Sequence, residues 1–297
     1  MTAVSIVIIS KHERGLAETL DAVGRQAAAL GDAEVLVVDA SESALDDIAA
    51  AHPGVRWIPF APRPGKRITI PEQRNAGVRA AAGDVIVFTD CGCVPDDGWL
   101  AAITGPIRSG AEEVVAGRVV SRVRASVYDA HRAEATYLEE CPTNNLAFTR
   151  RAFDAVGGFD EAFDYASDVD ISWRWRDAGR RIRSAPDALV RSDWGTARRQ
   201  LHRSFLWGAG RARLYLKHRG RLPQLARRDP IALVYPAFLA GLPVLALAPL
   251  TPWVLLYPLA LLYPLWRNRR ARPFSVVGDH LVYGTGVIWQ LARQAVR

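Results

Sequence analysis

Short apolar runs alternate with helically spaced apolar positions along the first half of the chain. The runs at residues 4–9, 34–38 and 55–60 have the length and composition of buried strands. Between the first two, Leu16, Leu20, Val23 and Leu30 recur at intervals that place them on one face of a helix. This repeated strand–helix order predicts an α/β fold, in which helices cover a mostly parallel sheet.

A fourth apolar run, residues 85–89, ends in Asp90 and two cysteines before Pro95. It has the character of a central strand, and ligands of parallel sheets bind beyond the carboxyl ends of the strands. We therefore expect Asp90 to face a ligand. The pattern also predicts helices at 71–82, 96–108, 124–141 and 168–178, and strands at 113–120 and 144–148.

The second half of the chain differs in charge and hydrophobicity. Residues 191–228 contain eleven Lys or Arg and a single acid, and apolar residues from 201 to 216 follow helical spacing. Residues 231–266 then contain no charge and six prolines. This composition predicts a basic amphipathic helix, followed by a hairpin that breaks near Pro249–Pro252 and either spans a membrane or enters and returns. We interpret residues 274–297 as an interfacial helix or a weak third span.

Composition narrows the possible classes of protein. The chain has 297 residues, of which 49% are hydrophobic, and this excludes a disordered protein. Its net charge of +7 is concentrated beside the apolar segment, so a membrane surface is favoured and nucleic acid is disfavoured as a partner. Three cysteines predict no disulfide framework and indicate a reducing compartment. The first residues lack the features of a signal peptide and are expected to form a strand.

Several short motifs occur in a characteristic order. The chain resembles the inverting glycosyltransferases of family 2, which have the nucleotide-sugar-binding fold called GT-A, over about residues 3–215. The resemblance implies a GT-A domain at 1–215, and the composition predicts a basic linker with a hydrophobic, membrane-associated helical region at 216–297. The matching pieces are Val37-Val-Asp39-Ala-Ser41, Gln73-Arg-Asn75-Ala-Gly77, Gly83-Asp-Val-Ile-Val-Phe-Thr-Asp90, Asn144-Asn-Leu-Ala, Gly157-Gly-Phe-Asp160 and Asp168-Val-Asp-Ile-Ser-Trp-Arg174.

The resemblance implies which residues bind the donor, a nucleotide-diphosphate sugar. Asp39 would accept a hydrogen bond from the base, although a carboxylate after a strand could instead cap the next helix. Arg74 and Asn75 match the Arg-Asn pair of the family near the donor, and Lys66 belongs either to the diphosphate site or to a solvated basic loop. The implied donor-binding residues are Ser10, Glu13, Asp39, Lys66, Arg74, Asn75 and Asp90.

A possible metal site departs from the family pattern. The family has two aspartates separated by one residue, of which the second binds Mg²⁺ or Mn²⁺, whereas this chain has Asp90 and Gly92. Glycine offers no ligand, so Asp193 is a candidate replacement, chosen from its position alone. Three alternatives remain: a metal held by Asp90 with a second ligand, donor binding through cations without metal, or a weakened enzyme. Cys91 and Cys93 are interpreted as space-filling residues.

Inverting transfer requires a carboxylate that removes the acceptor proton. The family supplies it from a Glu-Asp pair at the start of a helix. Here the pair is Ser167-Asp168, so Asp168 is the implied base. Asp170 is the alternative, and its other interpretation is a charge favoured by the helix dipole.

These inferences predict a glycosyltransferase at the cytoplasmic face of the cell membrane. It would transfer sugar from a nucleotide-diphosphate sugar to a lipid-linked or glycan acceptor, as in the synthesis of cell-envelope polysaccharide. Two other functions are compatible with the sequence: a soluble glycosyltransferase acting on a small natural product, and a non-catalytic scaffold subunit that binds nucleotide sugar.

Overall fold

A computed structural model describes residues 3–61, 67–122, 136–192, 195–270 and 272–296. The chain divides into two compact units, residues 1–193 and 194–297. The boundary precedes the predicted one at residue 215, because the helix Ala197–Lys217 packs within the second unit. At Gly286 of the last helix, a Cβ atom would collide with the carbonyl oxygen of Phe205. This close helix contact assigns residues 197–215 to the second unit.

In the described part of the first unit, strands form one mixed sheet with helices on both faces. The strands are β1 (Val4–Ser10), β2 (Ala33–Asp39), β3 (Arg56–Pro59), β4 (Val85–Asp90), β5 (Cys93–Pro95), β6 (Val114–Ser121), β7 (Tyr137–Leu138), β8 (Asn145–Thr149) and β9 (Ile182–Ser192). The helices are α1 (Leu16–Leu30), α2 (Asp46–Ala51), α3 (Ile70–Ala80), α4 (Trp99–Arg108), α5 (Arg150–Asp154) and α6 (Ser167–Asp177).

The sheet order is β3-β2-β1-β4-β8-β6-β9-β5, and β7 pairs with β9. Strands β3, β2, β1 and β4 are parallel neighbours, whereas β8 lies antiparallel between β4 and β6. Ser10 is opposite Asp39, and Ile9 is opposite Asp90. The predicted parallel sheet is therefore confirmed for this half, and three candidate site residues follow from its register.

Two apolar cores fill the space between the sheet and its helices. Side chains of a strand alternate between the faces, so Ile8 and Val87 enter one core while Val7 and Phe88 enter the other. Helices α1 and α4 contribute to the first core, and α3 and α6 to the second. Helix α3 begins with a capping box, in which Thr69 and Glu72 bond reciprocally to each other's backbone. The capping box fixes the residue at which α3 begins.

Two predictions along the chain need correction. The predicted helix 124–141 lies outside the described residues up to 135, and its described part contains strand β7 instead. Tyr137 and Leu138 pair there with Arg183 and Ile182 of β9, and this pairing buries Leu138. Strand β9 was not among the predicted strands, since polar residues interrupt its apolar alternation.

The second unit consists of helices. They are α7 (Ala197–Lys217), α8 (Leu225–Arg228), α9 (Ile231–Gly241), α10 (Leu262–Arg267) and α11 (Pro273–Ala295), with 3₁₀ segments at Arg219–Gln224, Leu242–Leu247 and Pro252–Leu261. The predicted break near Pro249–Pro252 is confirmed. Within the described residues, no single helix is long and apolar enough to cross a bilayer; Arg219–Arg228 and Ile231–Leu247, bent by 84°, reach that length and composition together.

Candidate active site

The carboxyl ends of β1, β2 and β4 bring Ser10, Asp39 and Asp90 to one edge of the sheet. The side-chain amide of Gln73 donates to the carbonyl oxygens of Ser10 and Val38, at 3.1 and 3.2 Å. This bridge from α3 fixes the ends of the first two strands relative to each other. Sequence reasoning included Gln73 in a motif without assigning this role to it.

Asp39 is nearly buried, and its Oδ1 accepts the backbone N–H of Ser41 at 3.1 Å. The hydroxyl oxygen of Ser41 in turn accepts the backbone N–H of His12. Helix α2 begins only at Asp46, and its N-cap residue Leu45 makes no side-chain cap. Capping is therefore the wrong interpretation of Asp39, whose carboxylate instead organises the loops after β1 and β2.

The loop after β1 contains two more of the predicted donor-binding residues. Ser10 is buried, and its side chain lies beside the Cys91 thiol. Glu13 is exposed, and its carbonyl oxygen accepts the N–H of Leu16 at the start of α1. A thiol is a weak hydrogen-bonding partner, so the buried hydroxyl of Ser10 is suited to meet a bound polar group.

Arg74 and Asp90 form an ion pair, with Nη2 3.1 Å from Oδ1. The arginine side chain is 6% exposed, whereas the aspartate is 38% exposed. The guanidinium also lies 5.9 Å from the ring centres of Phe88 and Phe159. The buried Arg74 thus positions the Asp90 carboxylate, and the carboxylate is the partner of the pair that is accessible to solvent.

Asn75, the next residue of α3, faces the glycine turn before α6. Its amide nitrogen donates to the carbonyl oxygen of Phe159 at 2.9 Å and to the Glu161 carboxylate at 3.0 Å. Its amide oxygen accepts the N–H of Phe159 at 3.0 Å. These bonds give Asn75 a positioning role, and the predicted contact with the donor stays a prediction.

Asp168 lies half-buried in the first turn of α6, where its Oδ1 accepts the N–H of Val169 at 2.9 Å. The buried hydroxyl of Ser172 donates to the Asp168 carbonyl oxygen at 2.7 Å and accepts the N–H of Cys141 at 3.3 Å. Ser172 therefore joins the turn that carries Asp168 to the loop before β8. Sequence reasoning missed this contact, which has no local signature.

Asp170 is fully buried and is bound by Arg174, whose Nε lies 2.8 Å from Oδ2. Arg174 Nη2 also donates to the carbonyl oxygen of Gly158 at 2.7 Å. The pair fastens α6 to the same turn that Asn75 holds. Asp170 is thus occupied by a structural contact, and Asp168 is the better placed of the two candidate bases.

The described residues do not form a metal site by themselves. They contain no cluster of three or more Asp, Glu, His or Cys side chains able to hold a metal ion. Burial raises the pKa of the Cys91 thiol to about 12 and that of Cys93 to about 11, so both remain protonated and are poor metal ligands. This agrees with their interpretation as space-filling residues.

Gly92 adopts a left-handed backbone with φ of +77°, and its N–H donates to the hydroxyl of Thr19 at 3.0 Å. Among the described residues other than its two chain neighbours, no heavy atom lies within 4 Å of the position that its Cβ would occupy. The position is therefore open. Two predicted residues near the donor, Lys66 and Asp193, lie outside the described residues.

A family model described as "Glycosyl transferase family 2" matches residues 5–162. The "Pre-mycofactocin glycosyltransferase" of Mycobacterium tuberculosis is 30% identical over an alignment of 204 residues, and the match covers 62% of this chain and 43% of that protein. The "Succinoglycan biosynthesis protein ExoA" of Rhizobium meliloti is 34% identical over 106 residues, or 34% of this chain and 32% of that protein. The chain thus spans less than half the length of these curated relatives.

Solved structures provide a comparison of the fold. The mannosyltransferase PcManGT from Pyrobaculum calidifontis, solved with GDP-Man and Mn²⁺, has a TM-score of 0.67 and 20% sequence identity. The match covers 97% of this chain and 87% of that one. At this identity the likeness shows the fold alone, and it agrees with the predicted GT-A architecture.

Proposed function

The chain belongs to glycosyltransferase family 2, and we propose on this basis that it transfers a sugar from a nucleotide-diphosphate sugar to an acceptor hydroxyl with inversion. The observation that carries the proposal is the convergence of Ser10, Asp39 and Asp90 at one sheet edge. Open α/β sheets bind ligands at this edge. Asp39 contacts the base, and the accessible Asp90 carboxylate faces the ribose or diphosphate.

The transfer itself requires one proton acceptor. The acceptor oxygen forms a bond to the anomeric carbon, while the bond from that carbon to the diphosphate oxygen breaks and its electron pair leaves with the nucleotide. Asp168 takes the proton of the acceptor hydroxyl. Its half-buried place at the start of α6 and the structural use of Asp170 support this assignment.

A divalent cation bound together with the donor would neutralise the diphosphate charge. Asp90 and Asp193 would hold it. Asp193 follows Ser192 in the sequence, and Ser192 pairs with Cys93, next to the open position 92. Calorimetric titration of Mn²⁺ with nucleoside diphosphate present tests this role, and a donor affinity that chelator leaves unchanged would remove the cation from the proposal.

For the acceptor, we propose a lipid-linked or membrane-proximal molecule at the cytoplasmic face of the membrane. The uncharged segment 231–266 and its flanking arginines support this location. The name of the mycobacterial relative favours a second candidate, a precursor of mycofactocin. A panel of both acceptor classes distinguishes the two.

One experiment tests the core of the proposal. The full chain in lipid is incubated with a panel of nucleotide sugars, with and without Mn²⁺, and the product anomer is assigned by NMR. The expected result is transfer with inversion that Asp168→Asn abolishes, with donor affinity within about twofold of wild type. Asp168→Asn retaining turnover would exclude it as the base, and donor binding without any transfer would support the scaffold function instead.

A further inference from the structure

Charge is divided unequally between the two units. Residues 194–297 contain sixteen Lys or Arg and two acids, a net charge of +14, although the whole chain carries +7. The two acids are held by internal contacts: Asp229 lies 3.1 Å from Arg211 Nε, and Asp279 accepts the Ser204 hydroxyl at 2.6 Å. The second unit therefore presents a strongly positive surface, as an anionic partner requires.

The same unit exposes a continuous stretch of large apolar side chains. Trp253 is 78% exposed and Leu250 is 83% exposed. The stretch is fastened at Tyr257, whose ring stacks on Phe238 and whose hydroxyl donates to the Phe238 carbonyl oxygen at 2.9 Å. We call this stretch the apolar ridge; its exposed members are Leu250, Trp253, Leu255, Leu256, Leu259, Leu262, Tyr263 and Trp266.

Exposed arginines border the ridge at its C-terminal end. The guanidinium of Arg269 lies 4.7 Å from the ring centre of Trp266, and Arg267 donates to the hydroxyl of Tyr263 at 3.5 Å. We call Arg267, Arg269, Arg270 and Arg272 the arginine rim. Aromatic rings beside cationic side chains are typical of the region where acyl chains meet headgroups.

We propose that the apolar ridge and the arginine rim form a docking surface for an anionic lipid bilayer. The ridge enters the acyl region and the rim binds anionic headgroups. Charge argues against a second copy as the occupant, because two units of +14 would repel each other. The exposed leucines of the ridge argue against nucleic acid as the partner. A phosphate backbone binds cationic side chains and would not cover aliphatic ones, so these leucines would stay exposed to water. This inference rests on the proposed function in one respect: docking of the second unit would bring the enzyme to an acceptor at the membrane.

The test is flotation of the full chain with lipid vesicles. The vesicles contain either phosphatidylcholine alone or phosphatidylcholine with 30% phosphatidylglycerol, in about 0.1 M and 0.5 M salt. The rim variant is Arg270→Gln with Arg272→Gln, and each arginine near an anionic surface is worth about fivefold in binding. The matched control is Arg25→Gln with Arg79→Gln, which removes two exposed positive charges from the first unit.

We expect the rim variant to bind anionic vesicles about 25-fold more weakly at low salt, and the control to bind as wild type. Trp253→Glu should weaken binding to both vesicle types. Equal binding by the rim and control variants would overturn the proposal, as would a protein that self-associates at the ridge or retains a labelled oligonucleotide in place of vesicles. Nucleotide binding measured without vesicles reports the first unit separately, so failure of docking and failure of the proposed function are distinguishable.

Discussion

Replacing Asn75 by alanine tests how helix α3 is joined to the turn that leads to α6, the helix that carries the proposed base Asp168. The change removes both hydrogen bonds to the backbone of Phe159, at 2.9 and 3.0 Å, and the bond to Glu161. Asn75 is 8% exposed and the Phe159 side chain 2%, so water reaches the unpaired groups poorly. Each of the two unpaired backbone groups costs about 1–3 kcal/mol, which gives a loss of about 2–6 kcal/mol in the free energy of unfolding.

The effect on function should separate turnover from donor binding. Because the amide of Asn75 bonds to the turn, we expect its loss to displace the segment that leads to Asp168 and to leave the hydrogen bond between Asp39 and Ser41 intact. We expect kcat to fall at least tenfold, while the dissociation constant of the nucleotide changes less than threefold. Urea unfolding, calorimetric nucleotide binding and initial rates on the same preparations measure the three quantities.

Two further variants serve as controls for Asn75→Ala. Glu161→Gln keeps an oxygen acceptor for the Asn75 amide at a half-exposed position, so its unfolding free energy should change by less than about 1 kcal/mol. Asn75→Asp keeps the acceptor for the Phe159 N–H but turns a carboxylate oxygen toward the Phe159 carbonyl, and it should destabilise at least as much as alanine. The reasoning fails if Asn75→Ala unfolds like wild type and loses nucleotide affinity, because Asn75 would then bind the donor directly.

Three other changes test neighbouring parts of the site. Gly92→Asp should bind Mn²⁺ more tightly than Gly92→Ala when nucleotide is present, because the position has room for a carboxylate. The alanine variant is the control, since both side chains require the left-handed backbone of position 92. Equal Mn²⁺ affinities of the two variants would show that position 92 does not face the donor. Asp170→Asn removes the countercharge of the Arg174 guanidinium, which keeps its hydrogen bonds to the carbonyl oxygens of Val156 and Gly158, and it should lower the unfolding free energy by about 3–5 kcal/mol in urea titrations. A change below about 1 kcal/mol would contradict this expectation. Burial raises the pKa of the Cys93 thiol from 9.0 to about 11, so the contribution of the protonated thiol to the free energy of unfolding is fully present below pH 9 and falls by about 1.4 kcal/mol per pH unit toward pH 11. Urea unfolding at pH 8 and pH 10 should therefore show a smaller loss of unfolding free energy for Cys93→Ala than for wild type. An equal loss in the two proteins would contradict the burial effect.

Residues at strand ends were predictable because parallel strands align by a regular register. The apolar runs that end at Ser10, Asp39 and Asp90 identify the strands, and adjacent parallel strands deliver their last residues to one edge. Helix α3 was equally visible, since Pro71 follows a local rule for the first helical turn. Local signals of this kind determine the donor half of the site.

Contacts between distant segments have no such signal. The amide of Asn75 and the backbone of Phe159 are 84 residues apart, and neither residue type indicates the other. Strand β9 was not predicted because its pairing with β6 shifts register between Gly117 and Arg118, so the side chains of β9 do not alternate regularly between the two faces of the sheet. Sequence order suggested donor contact for Asn75, which stays a prediction, but it gave no sign that the amide bonds to the turn before α6.

Gly92 shows what the sequence and the structure each reveal about the possible metal site. Sequence shows only that a carboxylate is missing, while the structure shows that the turn is fastened to α1 through Thr19 and that Arg74 balances the remaining carboxylate of Asp90. A balanced pair attracts a divalent cation weakly, because the cation must compete with the guanidinium for one carboxylate. A nucleoside diphosphate adds oxygen ligands and negative charge, and the described residues contain no cluster of three or more metal-ligating side chains. Any metal should therefore bind together with the nucleotide, and titration of Mn²⁺ into the nucleotide-free protein should show no high-affinity site.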